Sequence, residues 1–97
     1  MLTFEKVLDV FKDYLTEDDM FEIVMASRGY VLLGWDRISK QYSEVQFCPT
    51  PEHMLEVLLG AFDNYTEYNL THGRRDLTEA DEAEIRAKRQ AMADRCK

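Results

Sequence analysis

Few residues in this chain have the type and spacing that chemistry needs. Cys48 and His53 lie five apart, with His72 and Cys96 elsewhere. Zinc takes three or four converging ligands, commonly seeded by a close Cys or His pair. A thiol ending a strand and an imidazole in the first turn of a helix supply two ligands at best. A small buried Cys and a surface His are the preferred reading, and no metal is expected. Glu17, Asp18, Asp19 and Glu22 form a second cluster. It reads as an exposed acidic turn, because a paired-carboxylate site needs groups facing each other in a cleft. No Ser/His/Asp spacing, no GxSxG and no phosphate-cradling glycine loop occurs. The expectation is a non-enzyme without catalytic residues or cofactors.

The residues left over are suited to contact rather than catalysis. Tyr30, Trp35 and Tyr42 fall in a strand-rich stretch, with Arg28, Arg37 and Lys40 in nearby turns. An exposed set of this kind could stack single-stranded bases. Tyr65 and Tyr68 fall in a segment with no Lys or Arg, and an acidic surface dotted with aromatics suits a basic protein partner. Arg86 and Arg89 lie in the basic C-terminal end, where phosphates could bind. These seven side chains are the candidate interaction surface.

Those residues must be positioned by a short series of elements. Phe4, Val7, Leu8, Phe11 and Leu15 make one apolar stripe over a helix from Thr3 to Leu15, with Thr3 as N-cap. Phe21 to Phe47 reads as a three-stranded antiparallel meander, the stretch around which the chain is organised. Phe21, Ile23 and Met25 alternate with Glu22, Val24 and Ala26. Thr16 and Asp19 could instead cap a helix over Met20–Ala26, but the alternation and the turn that follows favour a strand. Gly29 can take the positive φ a tight hairpin demands. Tyr30–Asp36 is apolar on both sides, as in a central strand. Gly34 within it marks a bulge or a close backbone approach. Tyr42–Phe47 is an edge strand with Val45 and Phe47 on one face and Tyr42, Glu44 and Gln46 on the other, one of them wet.

Cys48-Pro49-Thr50-Pro51-Glu52 stops the strand and starts a helix, with Thr50 as N-cap and Pro51 at N1. This helix runs to about Tyr68. Its apolar face is wide enough to make it the main core helix: Met54, Leu58, Phe62 and Tyr65, flanked by Leu55, Leu59 and Ala61. The last helix is capped by Thr78 and offers mainly alanines. Residues 78–97 are therefore expected to dock weakly, or on a second chain. The fold class that follows is α+β, order α-β-β-β-α-α, in one domain over residues 1–97.

Composition bounds the rest. The chain has 97 residues, 45% of them hydrophobic, and a net charge of −7. Residues 1–48 carry nine acids and five bases, residues 49–73 four acids and no Lys or Arg, and residues 74–97 six acids and seven bases. A negative chain repels nucleic acid unless a local patch overrides the field. No apolar run reaches the length of a membrane helix, and no secretory signal opens the chain, so the expected compartment is the cytoplasm. Two reduced thiols fit that compartment; a Cys48–Cys96 disulfide stays open as an alternative.

The hairpin Arg28-Gly29-Tyr30-Val31-Leu32-Leu33-Gly34-Trp35-Asp36, the Cys48–Glu52 segment and Asp76-Leu77-Thr78-Glu79 at the start of a charged helix carry a likeness. Together they resemble small uncharacterised accessory proteins of bacterial conjugative transposons and prophage-like elements. The resemblance implies a mobile-element setting and carries over no catalytic residue. The expected function is that of an accessory protein binding another protein, or itself as a homodimer. The alternatives are a nucleic-acid-binding regulator and an acidic inhibitor of host defence acting by charge mimicry.

Overall fold

A computed structural model describes residues 1–97. Three helices and one sheet follow the expected order: α1 (Phe4–Glu17), β1 (Phe21–Ala26), β2 (Gly29–Asp36), β3 (Gln41–Cys48), α2 (Pro51–Thr71) and α3 (Glu79–Arg95). The sheet is antiparallel with spatial order β1-β2-β3, so the fold is α+β with a simple meander. Thr3, Thr50 and Thr78 all cap as expected, each hydroxyl accepting a backbone N–H three residues on. Helices α1 and α2 run two and three residues past their expected ends.

The alternation in β1 prevails over the capping alternative. Once Phe21 pairs with Gly34 and Ile23 with Leu32, both apolar residues reach one side of the sheet. Gly29 sits at φ +148°, and a Cβ there would lie 2.6 Å from the Cys48 carbonyl oxygen. Only glycine lets β2 and the end of β3 approach this closely. At the other end, Asp36 Oδ1 accepts from the N–H groups of Ile38 and Ser39, and Lys40 takes a left-handed conformation at φ 56° to turn the chain into β3.

Two faces result. The inner face carries Phe21, Ile23, Tyr30, Leu32 and Cys48 against α1 and α2. Val7, Phe11, Leu32, Cys48, Met54 and Leu58 are the innermost side chains. Rings bind this layer together: Phe4 packs on Tyr30 at 4.8 Å, and Tyr14 meets both Phe62 and Tyr65 edge-on at 5.3 Å. Such pairs add to area burial. Helix α3 packs on α2 and touches α1, burying Met92 and, beyond its end, Cys96. The molecule measures 41 × 36 × 18 Å. The short dimension accommodates one sheet and one helical layer, and the outer face of the sheet is left open.

Candidate interaction surface

The outer face is built by strand pairing. Val24 pairs with Val31, Val31 with Phe47, and Leu33 with Val45, so these side chains form one apolar field. Val45 is 65% exposed, Phe47 48% and Val24 38%. The polar residues that alternate with them in β3, Glu44 and Gln46, are the half-buried ones. The wet side of β3 is thus its apolar side, because α2 docks over the face that carries Glu44 and Gln46. Sequence alternation separates the two faces of a strand but does not tell which of them the helices will cover.

Tyr42 requires a correction. A register shift between Gly34 and Trp35 leaves Ser43 as the extra residue of a β-bulge. Tyr42 therefore moves to the outer face, away from Glu44 and Gln46. There it meets Trp35 edge-on at 5.1 Å and donates its hydroxyl to Glu22 Oε1 at 2.8 Å. That carboxylate raises the Tyr42 pKa. Glu22 is the one charged side chain within this face. Tyr30 points to the opposite side, onto Phe4, so Tyr30, Trp35 and Tyr42 do not form one stacking platform.

Tyr65 and Tyr68 lie along α2 beside the α1–β1 loop. A cavity of about 440 Å³ there is bounded by Tyr65, Tyr68, Asn64 and the acids Glu17, Asp18 and Asp19. The acidic turn is only partly exposed. Asp18 is 6% accessible, accepting from the Tyr14 hydroxyl at 2.7 Å and the Met20 N–H at 3.1 Å. Burial first, then Asp18, push the Tyr14 phenol far above its ordinary pKa, so Tyr14 stays a protonated donor that fixes the end of α1. Asp19 holds Arg37 through both carboxylate oxygens at 2.8 Å. A second cavity of about 590 Å³ lies between α2 and the inner face at Glu44 and Gln46.

The C-terminal bases are split. Arg89 forms an ion pair with Asp63 of α2, whereas Arg86 is exposed. Because α3 lies on α2, neither residue joins the sheet aromatics. Both cysteines are free and buried, and burial raises both thiol pKa values, which makes them weak nucleophiles. His53 and His72 are exposed, and no three His, Cys, Asp or Glu side chains are arranged to hold a metal ion. No helix is long and apolar enough to cross a membrane. Comparison with family models, curated proteins and solved structures returned no match.

Proposed function

We propose that this chain is a non-enzymatic protein-binding module whose outer sheet face packs on the same face of a second copy. The observation that carries this reading is the inverted exposure of β3: Val45 and Phe47 face water while Glu44 and Gln46 face the helices. Solvating such residues beside Val24, Trp35 and Tyr42 is unfavourable by roughly 25 cal/mol per Å². With about 200 Å² for a whole aromatic side chain, the exposed apolar area of the face comes to roughly 400 Å². With its polar margin, two stacked faces cover about 1,000 Å², the lower bound for a specific interface.

The face itself is nearly free of charge, which a like partner requires. The chain holds 19 acids and 12 bases, yet the outer face holds only Glu22, which is tied to Tyr42. Two copies meeting face to face keep their charges at the rim, and aligned sheet packing needs no further element. The non-enzymatic part of the reading is supported by the occupation of the acids. Asp18, Asp63 and Asp81 are committed to hydrogen bonds or ion pairs within the chain, and both thiols are buried. The mobile-element setting rests on the likeness of the hairpin and of the Cys48–Glu52 segment.

Light scattering across a concentration series tests the reading. The expected result is a dimer mass at tens of micromolar, reduced to the monomer by Val45→Glu with the circular-dichroism spectrum unchanged. A monomer at every concentration contradicts it. The nucleic-acid alternative is served less well, since Trp35 and Tyr42 are packed edge-on and Arg37 and Arg89 are paired with acids. A shift of single-stranded DNA at low salt that fades as salt rises would favour it.

A further inference from the structure

The two cavities are parts of one trough. Both include Phe21 and Asn64, and together they follow one stripe of α2: His53, Val57, Gly60, Asn64 and Tyr68, spaced four, three, four and four residues apart. That stripe spans about 22 Å at 1.5 Å per residue. The opposite wall is the uncovered end of the inner face, from Glu44 and Gln46 across Phe21 to Asp19 and Glu17. The two cavities, of about 590 and 440 Å³, are open grooves along this length. The length of about 22 Å matches about seven residues of extended chain.

The lining specifies the class of chain. Glu44, Glu56 and Asp63 border one half, and Glu17, Asp18 and Asp19 the other; with Asp63 paired to Arg89, Asp18 buried beneath Tyr14 and Asp19 holding Arg37, the carboxylates left to meet a cation are Glu17, Glu44 and Glu56. The one Lys or Arg in the lining is Arg37, already held by Asp19. Apolar contact is available at Phe21, Val57 and Tyr68, and Tyr68 is 61% exposed, its ring open to a cation.

We propose that this trough binds an extended segment of a partner protein in which Lys or Arg alternates with apolar residues. The proposal rests on the reading of the chain as a protein-binding module, but not on the dimer, which uses the other face of the sheet. Basic side chains face the carboxylates and Tyr68, and apolar ones enter the Phe21–Val57 floor. Gly60 leaves the passage open: nothing lies within 4 Å of a Cβ built there.

Fluorescence anisotropy tests this with a labelled seven-residue peptide alternating lysine and leucine, titrated with the full chain at low salt. Saturable binding is expected, at least tenfold weaker in Gly60→Gln, which obstructs the trough without changing charge, and in Glu56→Lys. Gly60→Gln also raises helix propensity, so its loss of binding does not come from unfolding. Glu5→Lys, an equal charge change on α1 outside the trough, is expected to leave binding within twofold. No saturable binding, or equal weakening in Glu5→Lys and Glu56→Lys, overturns the proposal. Light scattering on the same samples reads the dimer separately, so a monomer that still binds the peptide refutes the sheet interface alone.

Discussion

Gly34 and Gly60 both lie inside regular elements, β2 and α2, and their surroundings give them opposite roles. A Cβ at Gly34 would lie 3.0 Å from the Phe21 ring and 3.1 Å from Glu44 Cβ. Gly34→Ala is expected to destabilise the fold by about 1–3 kcal/mol through overpacking. Gly60 meets nothing, so Gly60→Ala is expected to stabilise α2 by about 1 kcal/mol. Urea unfolding of the two variants checks both signs. Gly34 was legible in the sequence as a site of close approach, because a glycine weakens the interior of an apolar strand unless a bulge or a crowding neighbour requires it. Its partner was not legible, since only the cross-strand register puts Phe21 over it. Asp81 gives a pH prediction. Arg75, with the Thr78 N–H, holds its carboxyl well below the usual range. A depressed carboxyl contributes stability that is fully present above its unfolded pKa, about 3.9, and is lost as pH falls toward the folded value. Asp81→Asn should therefore be less stable at neutral pH and show a shallower loss on acidification below about pH 4. Denaturant midpoints measured across that range provide the check.

Among the elements, the caps were the most readable. A Thr-Pro-Glu start and a Thr-x-x-Asp start each satisfy orphan N–H groups locally, so no tertiary information is needed to recognise them. At the start of α3 the Thr78 hydroxyl accepts from the Asp81 N–H and the Asp81 carboxylate from the Thr78 N–H, and Arg75 donates to the Leu70 carbonyl, fastening the loop to the end of α2. Thr78→Ala is expected to cost about 1 kcal/mol. The thin apolar face of α3 sets the order of two core truncations. Met92, at 9% exposure on α3, should lose about 2 kcal/mol on change to Ala. Leu58, at 0% between the helices and the sheet, should lose about 4 kcal/mol. Thermal or urea unfolding of the pair tests whether α3 is the more lightly held helix. Strand β3 was the element hardest to read. Its alternation was plain, but the bulge at Ser43 moves Tyr42 across the sheet, and the docking of α2 decides which face stays dry.

At the scale of the molecule, a layer of helices on one side of a three-stranded meander follows from the number of wide apolar helical stripes. Only α1 and α2 have one, and both are used on the inner face. The trough was not legible, since it exists only where α2 crosses the sheet and leaves the Phe21–Glu44 end uncovered. The two surfaces respond oppositely to salt. A dimer between copies of net charge −7 should tighten as ionic strength rises and the repulsion is screened, while attraction of a basic segment to the trough should weaken. Trp35 offers the most direct test of the sheet interface. It is the single tryptophan and lies on the outer face at 36% exposure, so acrylamide quenching reports whether that face is covered. Quenching should fall as concentration rises, with the same midpoint as the light-scattering mass, and should remain high in Val45→Glu. If quenching stays high throughout while the mass doubles, the copies meet elsewhere and the outer sheet face is not the interface.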